Sequence, residues 1–143
     1  MEVYKKEATE LEEQLLILRK QGRPEEILQK ASRLLEIAQL HQDPYYIAAA
    51  LYFQAYYEFS RGNYKECLQH CFQSEEYCEK NEYLKILAYI HNLQGIVYSD
   101  LGDFLTSLHF LLKAIISQWI IRNSNIIMRL LTIWELCSMI SIV

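Results

Sequence analysis

Turn-forming residues are scarce: four glycines and two prolines serve 143 residues. A loop-rich all-β chain needs many more, because its numerous tight turns draw on them. Disorder is excluded from the other side. Eleven Tyr, five Phe and two Trp are more aromatic surface than a coreless chain carries. Positive charge is not in excess either: a net charge of −4 leaves no global field to attract nucleic acid. The first residues, Met1-Glu2-Val3-Tyr4-Lys5-Lys6-Glu7, lack the apolar run of a signal peptide. Cys67, Cys71, Cys78 and Cys137 are therefore read as reduced thiols in a cytoplasmic protein. A Gly-rich phosphate loop, a His-Glu-x-x-His pair and a nucleophile elbow are all missing, so neither catalysis nor a cofactor is expected.

What is present is a repeat. Gly22, Gly62 and Gly102 stand 40 residues apart, and each precedes a helix start. Glycine suits the left-handed position that ends one helix, and Asn63 or Asp103 can cap the next. Pro24 fits a first helical turn, with Glu25 and Glu26 placed for the helix dipole. Between the turns, Leu11, Leu15 and Leu18 recur at helical spacing, as do Ile27, Ala31 and Leu34. Asp43-Pro44 opens a helix running to about Ser60. Further helices are expected from Tyr64 to about Lys80, Tyr83 to Asp100 and Phe104 to about Ile121. Asn123 is expected to cap a last one from Ser124 onward. A lone hairpin cannot bury both faces, so such units stack. The division is repeats at 8–42, 43–82 and 83–122, with an unpaired helix over 124–143, all in one all-α domain.

The third unit carries a family likeness. Leu93-Gln94-Gly95-Ile96-Val97-Tyr98-Ser99-Asp100-Leu101-Gly102-Asp103-Phe104, followed by Ser107, Leu108, Leu111 and Ala114, resembles the tetratricopeptide (TPR) repeat. In that pattern Gly95 and Ser107 let paired helices approach, and Tyr98 and Phe104 fill the space around the contact. The second unit keeps Ala55, Gly62, Tyr64 and Cys67, with Glu58 in place of the tyrosine. The first keeps Leu15, Leu18, Gly22, Ile27 and Ala31, with Pro24 in place of the aromatic. His91 and Gln94 also depart from the pattern. The 40-residue spacing exceeds the usual ~34 and resembles long-repeat bacterial signalling arrays, such as those ahead of diguanylate cyclase (GGDEF) or kinase domains.

The resemblance implies a right-handed α-solenoid of antiparallel hairpins, about three repeats plus an extra C-terminal helix. It also implies a concave groove lined by the first helix of each pair and taking a protein or peptide segment. By register the lining is Glu12, Leu16 and Arg19, then Tyr52, Tyr56 and Phe59, then Tyr89, Asn92, Ile96 and Ser99, continued by Arg129 and Thr132. The second implied reading is the regulatory front of a larger signalling enzyme such as a diguanylate cyclase.

Other candidate sites have plainer explanations. Cys67 and Cys71 share a helical face with His70 nearby, but Cys78 lies about 11 Å further along the same helix at 1.5 Å per residue. Core packing of small thiols is expected there, and no metal. His41, His70, His91 and His109 share no face and are expected at surfaces or interfaces. Residues 126–143 are apolar almost all round, yet Arg129 and Glu135 count against a membrane span. A helix of that kind is expected to be covered, either by a second copy of the chain or by sequence missing from this fragment.

Overall fold

The computed structural model describes residues 2–141, and these form seven helices with no strand. They are α1 (Glu2–Gln21), α2 (Pro24–Leu40), α3 (Pro44–Ser60), α4 (Tyr64–Asn81), α5 (Leu84–Asp100), α6 (Phe104–Arg122) and α7 (Ser124–Ser141). Each helix foretold by spacing is present. Met1, and the last two positions of the expected final helix, Ile142 and Val143, lie outside the described residues.

The turns repeat more finely than the glycines alone disclose. Gly22, Gln42, Gly62, Glu82 and Gly102 all have positive φ, between 50° and 81°, and fall at every twentieth residue. The residue after each sends its backbone N–H to a carbonyl five residues back: Arg23 to Leu18, Asp43 to Ala38, Asn63 to Glu58, Tyr83 to Cys78 and Asp103 to Tyr98. This is the bond by which a left-handed residue closes a helix and turns the chain. Gln42 and Glu82 adopt the conformation at a cost of roughly 1–2 kcal/mol each. Asp43 caps α3, accepting from the Tyr45 and Tyr46 amides at 3.1 and 3.5 Å. Asp103 accepts from Thr106 at 3.2 Å. Asn63, expected to cap α4, instead donates its side-chain amide to the Glu58 carboxylate at 2.8 Å. A charged acceptor within reach outcompetes the backbone N–H groups.

Successive helices pack together, and α3 additionally touches α1 and α5. With four neighbours, α3 is buried almost all round, and its Ala48, Ala49, Ala50 and Ala55 let them come close. The core continues through Leu15, Ile27, Leu34, Phe53, Cys67, Cys71, Cys78, Ile90 and Val97. Gly95 marks a close approach of α5 to α6. A Cβ there would lie 2.6 Å from Cγ and Cδ2 of Leu111 and 3.3 Å from the Ser107 carbonyl oxygen. The buried Ser107 hydroxyl donates to the Gly95 carbonyl at 2.7 Å, and Ser74 does the same to Ala48, also at 2.7 Å. Tyr98 stacks on Phe110, ring centroids 5.5 Å apart.

Phe104 departs from expectation: it is 69% exposed and fills nothing. Its counterpart Tyr64 leans on Phe59 at 6.0 Å and donates to Asp100 at 2.9 Å. The places of those supports, 40 residues on, are taken by Ser99 and by Ile140 in α7. Nor does α7 sit there, since it contacts no helix but α6 and buries no side chain. Among the described residues nothing but α6 touches this apolar helix. The cause is local. The next place in the twenty-residue series, Arg122, is still helical, and Asn123 follows at φ −107°, ψ 16°. No left-handed residue redirects the chain. Asn123, expected to cap α7, instead donates to the Trp119 carbonyl at 2.8 Å and closes α6.

Nine large apolar side chains of α7, among them Leu130, Ile133, Trp134 and Met139, are exposed. Ending the chain after Asn123 is expected to change stability by no more than roughly 0.5 kcal/mol, because no buried contact is lost. Binding of a hydrophobic dye should fall at the same time. A melting temperature lower by several degrees in the shortened chain would show that α7 packs after all. By length and composition α6 is the one described helix apolar enough to cross a membrane, although Ser107, Ala114 and Ser117 give it a buried protein-facing side.

Candidate ligand groove

Helices α1, α3 and α5, with one residue of α6, present a concavity of about 410 Å³. It is lined by Arg19 from α1, Tyr52, Tyr56 and Phe59 from α3, Tyr89, Asn92, Leu93 and Ile96 from α5, and Gln118 from α6. Seven residues placed in a groove by register, Arg19, Tyr52, Tyr56, Phe59, Tyr89, Asn92 and Ile96, thus face the same space, whereas Glu12 and Leu16 are not part of its lining. Spacings of three and four put each set on one side of its helix. Ser99 is exposed but lies outside the lining, and Arg129 sits on α7, which the missing turn carries away.

Arg19 is the charged centre of this concavity. Its Nη1 donates to the Tyr52 hydroxyl at 2.7 Å, and its guanidinium carbon lies 4.8 Å from the centroid of the Tyr89 ring and 5.9 Å from that of Tyr52. The Tyr52 and Tyr89 rings stack at 5.5 Å. Ring faces attract a cation and hold the long side chain in place. Burial works against the charge, but the Tyr52, Tyr89 and Tyr56 hydroxyls outweigh it and raise the guanidinium pKa. Burial pushes the Tyr52 hydroxyl up to about 12, although Arg19 draws it down. At neutral pH the pair is a cation beside a neutral phenol. Among the described residues no carboxylate pairs with Arg19. Glu12, two turns earlier on α1, accepts from Tyr45 at 2.8 Å.

The lining has no carboxylate, imidazole or thiol. It can offer a guanidinium, two side-chain amides, phenols and apolar rings. That set binds anionic and amide groups and has no ordinary base for proton abstraction. Gln118 was not legible as a lining residue, because it belongs to the second helix of its hairpin.

A second polar group bridges α4 and α5. The Glu75 carboxylate lies 2.9 Å from His91 Nε2 and accepts from Gln94 Nε2 at 3.3 Å. His91 and Gln94 are buried, whereas Glu75 keeps some exposure. The hydrogen bond from His91 holds the Glu75 carboxyl below its usual range against the opposing effect of burial, with help from Gln94 and Lys113. His91, expected at a surface or interface, and Gln94, noted in the sequence as a departure from a pattern, are thus partners of one acid where α4 meets α5. The signal was available in part: Glu75 follows Cys71 and Ser74 on a helix whose buried side they define. Cys67, Cys71 and Cys78 are buried and free, and burial pushes the Cys78 thiol up to about 12. Among the described residues no three His, Cys, Asp or Glu side chains are grouped to share a metal ion. Comparison with protein-family models, with curated proteins and with solved structures finds no match.

Proposed function

We propose that this chain is a TPR-like, right-handed α-solenoid whose inner face, formed by α1, α3 and α5, binds a protein or peptide segment through an acidic group seated at Arg19. The single observation that carries the reading is the half-buried guanidinium with no carboxylate partner, held by tyrosines at the wall of an aromatic concavity. The serial contact of α1 with α3 and of α3 with α5 supports the stacked arrangement, as does the 40-residue repetition. Asn92 would pair with the backbone of an extended ligand, while Tyr56, Phe59 and Ile96 supply apolar contact. Because Arg19 is already positioned, ordering costs fall mainly on the ligand. Three buried free thiols suit a reducing, cytoplasmic setting.

The test is selection of binders from a random peptide library against the full chain. Recovered peptides should share an Asp, a Glu or a required free C-terminal carboxylate. Arg19→Gln should weaken the best of them by tenfold or more, since a charge-assisted hydrogen bond contributes roughly 1.5–3 kcal/mol. Peptides without a common acid, or equal binding by the variant, would remove Arg19 from the reading.

A further inference from the structure

Burial along the chain follows the repeat as far as Ala114 and then loses it. Ser107 and Ala114 are buried at the places of Cys67 and Ser74, 40 residues earlier. The next buried place should be 118, the counterpart of Cys78. Instead Gln118 is exposed, Ser117 is buried, and nothing from 118 to 141 is buried at all. Composition changes at the same point. All eleven tyrosines precede Ser99, whereas nine isoleucines crowd into the last 29 residues, which hold one acid, Glu135. The face of α6 that a further helix would cover, with Leu108, Leu112 and Ile115, stands open.

We infer that the residues beyond Ala114 are read one nucleotide out of the frame that encodes the repeats, and that the neighbouring frame carries the fourth repeat whose first helix belongs on α6. The genetic code decides this at two places without any choice of codon. Trp134 is TGG and a Glu135 codon begins GA, so the frame starting one nucleotide earlier reads GGA, glycine. Met139 is ATG and an Ile140 codon begins AT, so the same frame reads GAT, aspartate. These fall at positions 135 and 140, each 40 residues after Gly95 and Asp100. Between them the codon overlapping Leu136 and Cys137 can only be Leu, Met or Val, matching Val97. Its neighbours admit Val or Ile for Ile96 and Phe for Tyr98.

The composition follows as well. An Ile codon lends AT to the earlier frame, which then reads Tyr, His, Asn or Asp, the residues the tail lacks. The counterpart of Gly102 reads as one of the same four, of which Asn and Asp tolerate the left-handed turn. The frame starting one nucleotide later is closed, because Met139 followed by Ile140 forces the stop TGA. The 40-residue register therefore survives in one displaced frame and is excluded from the other.

The test is the nucleotide sequence across codons 115–141, followed by the protein with one nucleotide inserted directly after the Ala114 codon. The earlier frame should run without a stop to the Asp codon and place Phe or Leu three codons after the glycine. A stop in that stretch, or Gln at that place, overturns the inference. The restored chain should bind several-fold less hydrophobic dye than the present one and lose any concentration-dependent association. Equal dye binding overturns it too. Neither readout depends on what the groove binds.

Discussion

Replacing Gly95 with valine is expected to cost about 3 kcal/mol and to lower Tm by roughly 10 °C. The side chain would enter a space already held by Leu111, whose Cγ and Cδ2 lie 2.6 Å from the nearest position a Cβ can take. Rotation of Leu111 relieves only part of this, because the Ser107 carbonyl oxygen, 3.3 Å away, is backbone of α6. Separating the helices would also lengthen the buried 2.7 Å bond from the Ser107 hydroxyl to the Gly95 carbonyl. Alanine is the informative intermediate. It gains about 1 kcal/mol of helix propensity over glycine, which offsets much of the steric cost and leaves a small net loss. Combining Gly95→Ala with Leu111→Ala should then cost less than the sum of the two single changes, since the second removes what the first collides with. Thermal melts of the four proteins measure this. A valine variant that melts within a degree or two of the parent would show that α5 and α6 do not depend on the close approach.

The repeat was legible because it is written in residues with backbone consequences. Gly22, Gly62 and Gly102, with Asp43-Pro44, mark where the chain reverses. Gln42 and Glu82 reverse it equally well, yet nothing in their side chains announces a left-handed residue; only packing on both sides imposes it. The same limit explains α7. An apolar helix in register reads as the next member of a stack, whereas its direction depends on a turn residue that position 122 does not supply. Residues of α3 and α5 that line one concavity could be grouped from the sequence because spacing fixes which side of a helix a residue occupies. Partnerships across helices were not legible. The bond from Arg19 to Tyr52 and the contacts of Glu75 with His91 and Gln94 join residues 33, 16 and 19 apart, a relation set by tertiary packing alone.

That last group carries the second large effect. Glu75→Ala is expected to destabilise the chain by about 2–3 kcal/mol, because it removes the one acceptor serving two buried side chains. His91 Nδ1 and Gln94 Oε1 already lack partners, so neither residue can compensate by turning to another. The charge itself is tested by Glu75→Gln, which keeps the shape, and by pH. The folded protein holds the Glu75 carboxyl below its ordinary value of 4.5, chiefly through the His91 hydrogen bond. A depressed pKa means that the unfolded chain takes up the proton first as pH falls. The stabilisation is thus complete above the ordinary value and is lost as pH drops through the folded one. Between about pH 5 and pH 3 the parent should accordingly lose more of its Tm than the Glu75→Gln variant, whose side chain does not titrate. Parallel acid profiles for the two proteins would mean that the carboxylate contributes shape at this seam and not charge.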